Sequence, residues 1–369
     1  MRKKIFLATL LITLSICGNQ SVSAKEIEEY IKNYNGINMT TIEIDNLKSL
    51  GFTEAQIYYM EQEEFDKNKN LHGEVLSTSV KYVKTTYTYK QNNISTMNIS
   101  EVLDAENYSN FVLNEEILKN LTLVNVKTEN ISEVEYNKIN ENTKTTYITN
   151  DVNPSIIDTE YKKLTTTIIK NSNKYRFKND LVWKKMPSNR SYDVFGISIN
   201  PAITVVSNSQ YAKTSYTLKD SCTEAISSYS ATHSSNWTKG AEGYAVTFQV
   251  PKNSSKTYTW SALQGTSYPC TDSKPFNQPS GSINATLALN SLSSYMYYDV
   301  AKVNTTTLST LDAYGSYQHS VKNISLNVAL SFSVGYKGDI GGVFEMTPTI
   351  SSNFDNMDGT HAQLLNINW

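Results

Sequence analysis

From Tyr161 to its end, the chain alternates apolar and polar residues with a period of two, in one short run after another. This pattern limits the available folds more than any other feature of the sequence. A period of two sends successive side chains to opposite faces of an extended backbone, so each run describes a strand with one face for a core. "GYAVTFQVP" sets Tyr244, Val246, Phe248 and Val250 against Ala245, Thr247 and Gln249, and Pro251 ends it. "SINATLALN" repeats the arrangement through Ile283, Ala285, Leu287 and Leu289. The most regular run is "ISLNVALSFSVGYKGDIGGVFEMTPTI", residues 324–350, in which every even position from Ile324 to Tyr336 is apolar or aromatic. Seven such side chains at roughly 1.5–3 kcal/mol each make exposure of that face cost well over ~10 kcal/mol, so the face must be covered. Its odd positions, Ser325 to Gly335, carry no charge and suit either a closely packed second face or a pore lumen. Pro348 in the return strand argues against a transmembrane ladder.

Further strand patterns lie at 164–170 and 174–184, around the turn "NSN", and at 194–199, 202–206, 213–218, 295–302 and 314–321. Closely spaced strands without helical runs between them predict an antiparallel β-sandwich-like domain over 159–369. Residues 25–72 read instead as a helical hairpin region. Ile42, Leu47, Leu50, Phe52, Ile57 and Met60 have helical spacing, Thr41 and Thr53 are the candidate N-caps, and Gly51 is the break. Between them, 73–158 reads as an acidic, mixed α+β region, with a strand in "VLSTSVKYVKTTYTYK", a helix near 115–120, and strands at 122–127 and 145–149. The predicted fold is therefore mainly β, with a small helical hairpin and a mixed region ahead of the sandwich.

The first 24 residues have the form of a secretory signal peptide. Arg2, Lys3 and Lys4 precede an apolar run from Ile5 to Ile16, and small residues lead to a cut after Ala24. That run is shorter than the roughly 20 residues that cross a bilayer as a helix. Lipidation at Cys17 would require a small residue before it, where Ile16 stands. The mature chain then keeps Cys222 and Cys270, and in an exported protein the default for two cysteines is one disulfide. Neither cysteine sits in a motif of catalytic thiols.

The formal charge is −2, but it is unevenly spread. Residues 25–160 carry 12 basic and 23 acidic side chains, while 161–369 carry 18 basic and 12 acidic. The excess of positive charge centres on Lys162, Lys163, Lys174, Arg176, Lys178, Lys184 and Lys185. Two readings fit: a patch that meets anionic membrane or cell-wall polymer, or lysines on the wet face of a hairpin. No nucleic-acid partner is expected at this net charge, and an oligomer is compatible with the pattern.

Motifs for zinc, phosphate or dinucleotide binding and for a serine nucleophile are missing from the sequence, and no cofactor is expected. "DNMDGTH" gathers Asp355, Asp358 and His361 near a glycine, as either a cation site or a turn. His233, Trp237 and Trp260 are candidates for a ligand-binding aromatic platform, with strand packing as the alternative. The stretches "LGFTEAQIYYMEQEEFDKNKNLHGEV", "EGYAVTFQVP", "GSYQH" and "IGGVFEM" resemble a group of exported Gram-positive bacterial proteins. That resemblance implies export and a helical start before a β-rich end, and it implies no activity. The sequence thus points to a secreted, non-enzymatic protein that binds a surface or extracellular ligand. A secreted β-pore-forming protein is the alternative, and a cell-wall or glycan hydrolase is a third reading.

Overall fold

A computed structural model describes residues 30–91, 121–139, 146–148, 155–172, 174–186, 190–199, 202–233, 237–240, 243–271, 280–303, 308–321, 354–355, 357 and 359–367. The signal segment with Cys17 and Ala24, the helix expected near 115–120 and the run 324–350 lie outside the described residues.

The chain opens with a short hairpin, β1 (Tyr30–Lys32) and β2 (Asn38–Thr40), and three helices, α1 (Thr41–Ser49), α2 (Glu54–Tyr58) and α3 (Gln62–Asn68). Then come β3 (Gly73–Gln91), β4 (Leu121–Ile131), α4 (Glu133–Lys138) and β5 (Thr146–Ile148). The expected hairpin is β6 (Ser155–Asn171) with β7 (Lys174–Lys185), followed by β8 (Tyr192–Ile199), β9 (Ile203–Val205), β10 (Tyr211–Asp220) and β11 (Ile226–Thr232). The remaining strands are β12 (Trp237–Gly240), β13 (Gly243–Gln249), β14 (Ser254–Ser261), β15 (Ser280–Lys302), β16 (Thr310–His319) and β17 (Thr360–Leu365). Two runs read separately in the sequence, 282–290 and 295–302, are halves of the single strand β15.

The strands form a ten-stranded sheet, with the path β11-β10-β15-β7-β6-β3-β4 and β5, β9 and β14 beside it, and a five-stranded sheet, β12-β13-β8-β16-β17. Their pairings are antiparallel. The protein is mainly β with a sandwich-like pair of sheets. Leu164, Ile168, Phe177, Leu181 and Met296 of the large sheet meet Phe195, Ile197, Val246, Leu311 and Tyr317 of the small one in one core. Strands β3 to β5 belong to the large sheet, and the boundary expected at 158/159 between the mixed region and the sandwich falls inside β6.

The other face of the large sheet is covered by the helices. Leu47, Leu50, Phe52, Ile57, Met60 and Phe65 pack on Ile169, Tyr211, Tyr295 and Tyr297, which makes three layers. Instead of two helices there are three, and the first is capped one residue earlier than its spacing suggests. Thr40 and Glu43 form a reciprocal capping box, as do Thr53 and Gln56. Thr41 is the first residue inside α1, because Thr40 has the Glu three positions on that closes the box. Gly51 joins α1 to α2 at φ +75°, a conformation that costs glycine little.

Candidate functional site

Strand parity decides where the predicted basic residues go. On β6, Asp158, Glu160, Lys162, Leu164, Thr166 and Ile168 share the face turned to the small sheet, and all are buried. The Lys162 ammonium therefore lies between the sheets, paired with Glu160 Oε1 at 3.1 Å and with Asp355 Oδ2. Its side chain and both carboxylates are fully buried. Trp183, its cross-strand neighbour, and Tyr317 of β16 present ring faces to Nζ at 5.0 and 5.3 Å. Asp355 is held from its other side by the backbone N–H of His319, which donates to Oδ1 at 2.7 Å. The His319 ring meets Asp193 of β8, Nδ1 to Oδ1, at 2.7 Å, and the Tyr317 hydroxyl donates to the other Asp193 oxygen.

Burial alone would depress the His319 imidazolium, but the Asp193, Glu160 and Asp355 carboxylates outweigh it and raise its pKa to about 9. The ring is therefore charged at neutral pH and donates to Asp193. For Lys162, burial again opposes the charge, and Asp355 and Glu160 raise its pKa above the ordinary lysine value. Desolvation pushes the Glu160 carboxyl up, against the pull of Lys162 and His319.

Three further cations hold the helices to the opposite face of the large sheet. Arg176 donates to Asp299 Oδ1 and to Asn68 Oδ1, each at 2.7 Å, and its guanidinium stacks 4.3 Å from the centre of Tyr297. Lys178 reaches Gln56 Oε1 at 3.1 Å and Asp180, and Lys213 donates to the Tyr59 carbonyl at 2.6 Å. Glu64 is sealed in this layer and accepts from the Tyr295 hydroxyl at 2.8 and 2.7 Å. Desolvation, partly offset by Tyr295 and Lys213, raises its pKa to about 7.

These positions correct the reading of a basic surface patch. Lys162 points into the sandwich, Arg176 and Lys178 point under the helices, and all three are buried. Lys163 lies over Tyr82, Lys184 lies over Tyr136, and Lys185 approaches Asp158 at 3.5 Å. Lys174 is exposed at the β7 end of the hairpin.

The aromatic platform is not assembled either. Trp260 is buried, edge-on to Tyr268, with its ring over Gly281. His233 stacks on Phe248 at 5.4 Å and meets Thr214 Oγ1 at 2.8 Å, and burial lowers its pKa to about 4. Trp237 opens β12 opposite Val246, and its side chain lies outside the described residues. "DNMDGTH" is likewise divided, with Asp355 on Lys162 and His361 on Asp312 at 2.8 Å, while Asp358 lies outside the described residues. Among the described residues no group of three His, Cys, Asp or Glu side chains is placed to hold a metal. Cys222 and Cys270 are joined in a disulfide, their Cα atoms 4.3 Å apart.

A cluster of exposed aromatic rings lies on the helical layer instead. Tyr34, Tyr58 and Tyr59 pack ring against ring at 4.9 to 5.9 Å between centroids, with Tyr34 54% and Tyr58 48% exposed. Beside them a cleft of about 180 Å³ is lined by Ile31, Met39, Ile44, Ile57 and Tyr58. The Tyr59 hydroxyl meets Ser228 at 3.1 Å, so this surface continues onto β11, an exposed outer strand carrying Ser227, Ser228, Ser230 and Thr232. The pair Tyr58-Tyr59 is visible in the sequence, but Tyr34 joins it only through the hairpin that leads into α1. Asn33 and Asn35 pin that hairpin to the Tyr59 and Met60 carbonyls.

No helix among the described residues is long and apolar enough to cross a membrane. No protein-family model matches the chain, and comparison with curated proteins gives no match. Among solved structures, the full-length major pilin SpaD from Corynebacterium diphtheriae is similar at 8% identity with a TM-score of 0.20. The similarity covers 64% of this chain and 56% of the pilin, so the chain spans little more than half the length of the structure it matches. The fold described above rests on the strand pairing itself.

Proposed function

We propose that the chain acts as an exported binding protein for a hydroxyl-rich polysaccharide, and that it binds through the tyrosine face of its helical layer and the adjoining edge of β11. The observation that carries this reading is the cluster Tyr34, Tyr58 and Tyr59, two of whose rings stay half exposed beside a cleft. Tyrosine combines an apolar ring face, on which a sugar can stack, with a hydroxyl that hydrogen-bonds to it. Along the same edge Ser228, bonded to the Tyr59 hydroxyl, and Ser230 and Thr232, bonded to Glu61, add further polar groups. The layer is held rigidly by Arg176, Lys178 and Lys213, so little ordering cost is left for binding.

Among the described residues, two histidine–carboxylate pairs of the kind a hydrolase could use are engaged internally. His319 and Asp193 are fully buried, and His361 is stacked on Tyr314 while bonded to Asp312. The pore reading depends on 324–350, and nothing among the described residues favours it.

Retention of the purified chain on insoluble cell-wall polysaccharide is the test. The wild type is expected to be retained and Tyr34→Ala/Tyr58→Ala to lose at least about tenfold in affinity, roughly 1.4 kcal/mol. Release of dye from anionic liposomes by the wild type would favour the pore reading instead.

A further inference from the structure

We propose that Lys162 and Asp355 condense in the folded protein to an amide between their side chains, a covalent staple from the large sheet to the small one. The inference stands apart from the proposed binding function and rests on the cluster between the layers.

Its geometry supplies each part of the reaction. The Lys162 amine and the Asp355 carboxylate are in direct contact, both fully buried, on segments 193 residues apart in sequence. Trp183 and Tyr317 enclose the amine with aromatic faces, so water does not compete for the carboxyl carbon. Glu160 touches the same nitrogen at 3.1 Å and is the nearby group that carries protons. The His319 backbone N–H, 2.7 Å from Asp355 Oδ1, sits where negative charge develops when the carboxyl carbon is attacked.

The step balances without a further reactant. One proton leaves the ammonium through Glu160 to Asp355 Oδ2, giving a neutral amine beside a carboxylic acid. The nitrogen lone pair attacks Cγ, and the charge on Oδ1 is held by the His319 N–H. A second proton then passes from nitrogen through Glu160 to the Oδ2 hydroxyl, the Cγ–Oδ2 bond breaks, and one water departs. The N–Cγ bond replaces two buried charges, whose desolvation opposes folding, with a neutral amide. Because Phe354 bridges Ser320 next to the end of β16, the link ties the centre of β6 to that end of the small sheet.

Peptide mapping of the folded, exported chain by tandem mass spectrometry, after reduction and alkylation, tests this directly. The expected product is a branched peptide joining the Lys162 and Asp355 segments, lighter by one water than the two linear peptides together, with no tryptic cleavage after Lys162. Recovery of the two segments only as linear peptides would overturn the proposal and leave an ordinary buried ion pair. In Glu160→Gln, circular dichroism and the Cys222–Cys270 bond should be retained while the branched peptide is lost. If that variant cross-links as fully as the wild type, the assigned role of Glu160 is wrong.

Discussion

Lys162 and Lys163 are adjacent in the sequence and end in opposite surroundings, one sealed among carboxylates and aromatic rings, the other half-buried over Tyr82. Burying a cation is costly unless its partners are in place, and Glu160 and Asp355 are those partners. The seam between the sheets tolerates little added volume. At Gly315 on β16 a Cβ would fall on Thr166 Oγ1 and Asn179 Oδ1, and the Asn179 amide also donates to the Gly196 carbonyl at 3.1 Å. Gly315→Ala should therefore lower stability by about 2–3 kcal/mol in urea unfolding, and a change below about 0.5 kcal/mol would contradict the close approach. The sign of this residue-scale chemistry was only half legible in the sequence. A period of two marks which residues share a face, but the pattern Asp158, Glu160, Lys162 reads as a wet face by composition. Asp355 and His319, which make it an inner one, arrive from far along the chain.

The helical layer shows the same division at the scale of elements. Its existence, its apolar residues and the cap at Thr53 follow from local spacing and from the Thr-x-x-Gln pattern. Its docking does not, because the docking groups Arg176, Lys178 and Lys213 sit on strands more than a hundred residues away. Arg176 and Lys178 read as part of a surface patch in the sequence, since alternation alone does not tell the core face of a sheet from a face covered by helices, and nothing local marks Lys213 at all. Beneath this layer Glu64 has a pKa of about 7, against an ordinary value of 4.5. A carboxyl whose pKa is raised on folding stabilises fully below its unfolded value, and that stabilisation is lost as pH rises through the folded value. Stability should thus fall by about 3 kcal/mol from this group between pH 4.5 and 7. Glu64→Gln should flatten that slope, and an unchanged slope would show that Glu64 is not the titrating group.

Across the whole molecule, two sheets and a helical layer enclose one large core and one smaller one. Antiparallel sandwich-like architecture was legible because β6 to β8, β10, β13, β15 and β16 carry their own alternation, while β11, β12, β14 and β17, short or exposed along their length, gave no such signal. Membership of β3 to β5 in the large sheet was not, since the shift from a polar, acidic region to closely spaced strands suggested a boundary at 158/159, inside what is one strand. The Cys222–Cys270 disulfide closes a loop of 48 residues around β11 to β14. Reduction should lower the unfolding free energy by roughly 2–4 kcal/mol, read from urea transitions with and without reductant. With the sheets as a rigid support, binding is assigned to the exposed tyrosine face.

Binding isotherms on one insoluble cell-wall polysaccharide test this assignment most directly, for the wild type, Tyr34→Ala/Tyr58→Ala and His233→Ala. The tyrosine variant should weaken binding at least about tenfold with an unchanged urea midpoint, while His233→Ala should bind as the wild type does. Equal binding by the wild type and the tyrosine variant, or no retention of any of the three, would contradict it.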